Sequence, residues 1–97
     1  MAKKFTPEQI TAALGELNGW VKVDNRDAIH KRFTFTNFSE AFAFMARAAL
    51  MAEKIDHHPE WFNVYKTVDV TLATHDADGV TDLDIKLAKA LDRFAGS

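Results

Sequence analysis

The chain contains no cysteine. Disulfides, thiolate metal sites and a cysteine nucleophile are therefore excluded, and a reducing compartment is allowed. Serine is absent from the places where a hydrolase would use it. Ser39 falls in the predicted first turn of a helix and Ser97 is the last residue, so neither occupies a glycine-flanked nucleophile turn. Only four glycines occur, scattered, and they build no phosphate-cradling loop. Basic residues are not in excess: the formal net charge is -2 and the pI about 6.0. With no basic stripe to neutralise phosphates, a nucleic-acid binder working by bulk charge is not expected. No uninterrupted apolar stretch is long enough to span a bilayer. Met1-Ala2-Lys3-Lys4-Phe5 leads into a capped helix, not into a signal-type apolar run. The expectation is a soluble cytoplasmic protein with no membrane or nucleic-acid partner.

The 97 residues that are present suit one domain, spanning 1–97, with a modest core that an oligomer would supplement. Thr6-Pro7-Glu8-Gln9 reads as a helix start, with Thr6 as cap, Pro7 at the first helical position and Gln9 completing a capping box. Ile10, Ala13, Leu14 and Leu17 repeat at helical spacing until Asn18-Gly19 ends the run. Residues 20–23 and 29–35 predict an antiparallel hairpin about the polar turn 24–27. In its second strand Ile29, Lys31, Phe33 and Phe35 share one face, and His30, Arg32 and Thr34 the other, so one face is buried. His30, on the polar side, is assigned no role.

Asn37 caps a second predicted helix, 37–55, with Glu40 at its third position. This helix is apolar on two sides. Phe38, Phe42, Met45 and Ala49 form one stripe, and Phe44, Ala48, Met51 and Ile55 a second. One sheet needs only one stripe, so the second is expected to join subunits of a homo-oligomer, a dimer or a tetramer, through the helix 37–55. Residues 61–65 and 67–74 predict a second pair of strands, the latter alternating Val68, Val70 and Leu72 with polar or small residues. Thr81 caps the last helix, with Asp84 three residues on, and Leu83, Leu87, Leu91 and Phe94 form its core stripe. The order helix, strand, strand, helix, strand, strand, helix predicts an α+β fold: a four-stranded antiparallel sheet with three helices packed on one face.

Reactive chemistry concentrates in His57-His58-Pro59-Glu60-Trp61. Imidazoles give or take protons near neutral pH. Pro59 pushes His58 toward extended backbone, where adjacent side chains point in different directions. Two separate proton-transfer positions suit that geometry better than one shared metal-ligand point. A metal site would have to draw on His57, His58, His75 and Glu53, which lack the i, i+4 helical histidine pair of zinc hydrolases; no metal and no cofactor are expected. His75 ends the strand 67–74, opening into the loop Asp76-Ala77-Asp78-Gly79, a common position for a functional side chain. Glu53 precedes His57 by four residues and would orient its ring if the helix continued that far. What remains is general acid–base chemistry by imidazoles.

The block Glu53-Lys54-Ile55-Asp56-His57-His58-Pro59-Glu60-Trp61-Phe62-Asn63-Val64-Tyr65, followed by Thr74-His75, closely resembles the pterin-4a-carbinolamine dehydratases. Gly19-Trp20, Asp27-Ala28-Ile29, Phe42-Ala43-Phe44-Met45 and Leu87-Ala88 agree with the same family. The resemblance implies dehydration of a 4a-hydroxytetrahydropterin, left by aromatic amino acid hydroxylases, to quinonoid dihydropterin and water. It implies His57, His58 and His75 as site histidines with Glu53 in support. Pro59, Trp61 and the segment Thr74, His75, Asp76 and Ala77 would then line the pterin pocket. Many family members carry an arginine in the first turn of the last helix, at the pocket rim; here that position is Leu83. The family also includes an animal protein that binds a homeodomain transcription factor, and the long helix would be the surface for such a role.

Overall fold

The computed structural model describes residues 2–96. Its elements are α1 (Pro7–Gly15), β1 (Val21–Lys22), β2 (Ile29–Thr34), α2 (Phe38–Ile55), β3 (Glu60–Val64), β4 (Thr67–Leu72) and α3 (Asp82–Phe94). The strands form one antiparallel sheet in the order β1-β2-β4-β3. The fold is therefore α+β, as the element order predicts. The two hairpins meet through β2 and β4 at the centre, leaving β1 and β3 as edges.

Local signals place the helix starts. Thr6 accepts from the Gln9 amide at 3.1 Å, while the Gln9 side chain accepts from the Thr6 amide at 2.8 Å. Asn37 accepts from the Glu40 amide at 2.9 Å; the Glu40 carboxylate reaches back one residue further, to the Thr36 amide. Period-two alternation places the strand faces. Ile29, Phe33, Val68, Val70 and Leu72 are buried on the inner face, against Phe44 and Ala48 of α2 and Leu87 and Leu91 of α3. Lys31 shares this inner parity. Its ammonium bonds Asp92 at 2.8 Å and lies 4.7 Å from the centre of the Phe33 ring, so the stem is covered and the charge is paired. His30 lies on the outer face, 3.2 Å from Asp69, which also pairs with Arg32.

The two stripes of α2 exchange the roles expected of them. Phe44 is only 2% exposed and Ala48 is fully buried, while Met51 and Ile55 pack against the core. The stripe assigned to a subunit contact is thus the core stripe. Phe38 and Phe42 face outward and touch each other, Phe42 at 57% exposure, and Leu50, two turns on from Phe42, is 74% exposed. The physical reason lies in the small residues. Ala41, Ala48 and Ala52 are buried beside Phe44, so the backbone of α2 approaches the sheet closely. A face carrying Phe38 and Phe42 would hold the helix further off. Periodicity alone does not say which of two apolar stripes turns inward.

Candidate active site

Three chain segments meet at one end of the sheet: the end of α2, the loop after β4, and the first turn of α3. Helix α2 stops because Asp56 adopts the left-handed conformation, φ 52°, and the His57 amide bonds back to the Ala52 carbonyl at 3.0 Å. Aspartate is among the few residues that tolerate this conformation. The reversal sends His57 inward and leaves His58 outside.

His57 is buried, and its Nε2 lies 2.6 Å from Oδ1 of Asp84, which has no exposed surface. The other oxygen of Asp84 accepts from the Thr81 amide and from the Thr74 hydroxyl, each at 2.9 Å. Thr81 in turn donates its hydroxyl to Thr74 at 2.6 Å and accepts from the Leu83 amide at 3.2 Å. Every donor around the buried carboxylate is therefore used. An ionised Asp84 accepts from His57, so Nε2 carries the hydrogen and Nδ1 is the ring nitrogen left to exchange a proton with a ligand.

Glu53 does not orient His57. Its carboxylate lies 2.8 Å from Nε2 of His58, and both side chains are exposed. The expected Glu53–His57 pair required the helix to continue, and the left-handed turn at Asp56 ends it first. His75 sits at the start of a closed loop. Thr74 and Gly79 exchange backbone hydrogen bonds, at 2.8 and 3.3 Å, and the Asp78 amide bonds the His75 carbonyl at 3.1 Å. Asp27 holds the loop's far end through the Val80 amide at 2.9 Å. Gly79 leaves room for two side chains: a Cβ would lie 2.8 Å from the end of Lys4 and 2.9 Å from the Asp27 carboxyl, and both would have to shift.

Two cavities adjoin along this loop. The smaller, about 220 Å³, is bordered by His57, His58, His75, Asp76 and Leu83. The larger, about 600 Å³, is bordered by His58, Pro59 and His75 on one side and by Arg26, Asp27 and Asp78 on the other. His58, Ala73, Thr74 and His75 border both. Beside them Arg26 forms two hydrogen bonds to Glu60, one of 2.8 Å, and this partner, with a smaller effect of His75, holds the Glu60 carboxyl below its ordinary range. Leu83 occupies the rim of the smaller cavity. Trp61 borders neither. Its pairing with Val70 puts the indole on the inner face of the sheet, half-buried against the core. Ala77 and Glu53 also lie outside both linings. Among the described residues, no group of three or more His, Asp or Glu is arranged to hold a metal ion.

Asp84 was legible in the sequence only as a capping acid. It does close a capping box with Thr81, but that uses one carboxylate oxygen. Its partnership with His57 spans 27 residues and has no local signal.

The family described as pterin 4 alpha carbinolamine dehydratase matches residues 3–94. A protein of Bradyrhizobium sp. strain BTAi1, provisionally named pterin-4-alpha-carbinolamine dehydratase, is 59% identical over 97 residues, covering all of this chain and 98% of its own. A Brucella ovis protein of the same provisional name is 58% identical, covering 96% of each chain. A crystal structure from Brucella melitensis, described as a transcriptional coactivator/pterin dehydratase, superposes with a TM-score of 0.96 at 57% identity, covering 97% of this chain and 100% of that one. A more distant structure, at 25% identity and a TM-score of 0.71 over 82% of this chain and 93% of its own, is described as a pterin dehydratase-like protein that is a RuBisCO assembly factor in the alpha-carboxysome. With a match across nearly its whole length and relatives this similar, the chain belongs to the pterin-4a-carbinolamine dehydratase family of hydro-lyases.

Proposed function

We propose that the protein dehydrates a 4a-hydroxytetrahydropterin to the quinonoid dihydropterin by histidine acid–base catalysis, recycling the pterin used by aromatic amino acid hydroxylases. The observation that carries this reading is the meeting of His57, His58 and His75 along two adjoining cavities, with His57 held in one tautomer by a buried carboxylate. The reaction breaks the C4a–oxygen bond. One imidazole protonates the departing hydroxyl, which leaves as water. The electron pair on the adjacent ring nitrogen, N5, forms the new C4a–N5 double bond, and a second imidazole takes the N5 proton. Solvent returns that proton to the acid. No nucleophile and no covalent intermediate are required. Asp84 and Glu53 act by positioning His57 and His58, while Pro59, Thr74 and Asp76, with Leu83 at the rim, shape the pocket.

The test follows the decay of 4a-hydroxytetrahydropterin by absorbance, with and without the protein, after exhaustive chelation. Acceleration that survives chelation is expected. Decay at the uncatalysed rate, or acceleration that returns only with added zinc or iron, overturns the reading.

Self-association belongs to the same proposal, with its contact moved to the outward stripe of α2. Phe38, Phe42 and Leu50 are large apolar side chains left exposed on α2, the kind of surface a subunit contact would cover. Phe42→Glu is expected to lower the sedimenting mass while leaving the thermal midpoint of the separated chains little changed. Phe44→Ala is expected instead to cost about 3–5 kcal/mol of stability, as a buried aromatic does. A wild-type chain sedimenting as a monomer at micromolar concentration would refute the assembly.

A further inference from the structure

The Asp84 carboxylate is held from three segments. Oδ2 accepts from the Thr81 amide, within the first turn of α3, and from the Thr74 hydroxyl, just beyond β4. Oδ1 faces Nε2 of His57, just beyond α2. The bond from Thr81 fixes the carboxylate with respect to α3 alone. Among the described residues, Thr74 is the one side chain that ties it to the sheet, and so to the segment that carries His75.

The hydrogens of this cluster run in one direction. Each hydroxyl has a single hydrogen to give. If Thr74 gave its hydrogen to Thr81, Oδ2 would lose a donor and the Thr81 hydrogen would lack an acceptor. The order is therefore Leu83 amide, Thr81 hydroxyl, Thr74 hydroxyl, Asp84 carboxylate, through contacts of 3.2, 2.6 and 2.9 Å. Each bond polarises the next in a site of low dielectric. Thr81 and Asp84 have no exposed surface and Thr74 is 7% exposed, so solvent does not replace a lost donor. The backbone of Thr74 is secured separately, by its pair of hydrogen bonds with Gly79. Removing the hydroxyl leaves that loop closed and His75 in its place. The hydroxyl therefore has a task other than building the loop.

We infer that Thr74 is a positioning residue for the dehydration: its hydroxyl, oriented by Thr81, holds Asp84 against the sheet so that His57 presents Nδ1 to the smaller cavity in register with His75. The inference rests on the dehydratase reading, and its test separates the two. Thr74→Val keeps the branched shape and removes the hydroxyl; Thr74→Ser keeps the hydroxyl and removes the methyl group. kcat and KM are measured with 6-methyl-4a-hydroxytetrahydropterin, and folding is checked by circular dichroism. Thr74→Val is expected to lower kcat about tenfold and to leave KM within about twofold, as a displaced proton-transfer group does. Thr74→Ser should stay within about twofold of wild type in both. In a His57→Ala background, Thr74→Val should cost less than about twofold more, because the ring it serves is gone. Four results overturn the positioning role alone: unchanged kcat in a folded Thr74→Val protein, a serine variant as slow as the valine one, a loss confined to KM, or the full tenfold cost in the His57→Ala background. If Thr74→Val does not fold, Thr74→Cys replaces it. Its thiol is a weak donor, so kcat should lie about threefold below that of the serine variant, and equal rates overturn the inference. Decay at the uncatalysed rate with the wild-type protein overturns the dehydratase reading, and the positioning role with it.

Discussion

The double replacement His57→Ala/His75→Ala is expected to bring dehydration close to the uncatalysed rate. The two rings come from separate segments, one at the left-handed end of α2 and one after β4, and both border the smaller cavity. A proton-transfer role is typically worth ~10²–10⁴-fold in rate. The substrate is intrinsically labile, so single replacements should fall at or below the low end of that range. Their effects need not multiply, because acid and base serve one step. His58→Ala is expected to act more on KM, since His58 lies outside with Glu53 and borders both cavities. The measurement is kcat for each variant, with folding checked by circular dichroism. A folded double variant with near-wild-type turnover would remove these histidines from the mechanism.

Asp84 should separate stability from catalysis when replaced in two ways. Asp84→Ala leaves the Thr81 amide, the Thr74 hydroxyl and Nε2 of His57 without their buried acceptor. Losing one partner of such a buried polar cluster costs about 3–5 kcal/mol, enough to threaten folding of a small domain. Asp84→Asn is the informative variant. Two donors, from Thr81 and Thr74, surround one oxygen site, so the oxygen of the introduced amide takes that site and its NH₂ turns to His57. A donor facing Nε2 makes that nitrogen the acceptor and puts the hydrogen on Nδ1, the wrong tautomer for accepting a proton from substrate. The expected result is a chain that melts within a few degrees of wild type but loses kcat by no more than His57→Ala does, at or below about 10²-fold. Full activity in a folded Asp84→Asn protein would show that the tautomer of His57 does not matter.

Much of this arrangement is legible along the chain because the forces that produce it are local. Thr6-Pro7-Glu8-Gln9 and Thr81 to Asp84 announce helix starts, since a capping side chain bonds an amide only two or three residues away. Alternation through Ile29, Lys31, Phe33 and Phe35 defines a buried sheet face, since successive strand side chains point to opposite sides. The extended backbone of His58 in the candidate site is legible for a covalent reason: the Pro59 ring restricts the residue before it.

The interior of the site is a different matter. A periodic pattern defines faces but not which one meets the core, and so the Phe44 stripe of α2 reads as well for a subunit contact as for the inward face it occupies. Trp61 reads as a pocket wall until the register pairs it with Val70. Glu53 reads as the partner of His57 until Asp56 ends the helix and gives Glu53 to His58. Helix starts, strand faces, the family and the three histidines can all be read from the order of residues. That His57 meets Asp84, and that the turn at Asn25 walls the cleft beyond His75, cannot. Both depend on the docking of α3 and the β1–β2 turn against distant segments, and docking is set by packing of the whole core, which no short window of residues encodes.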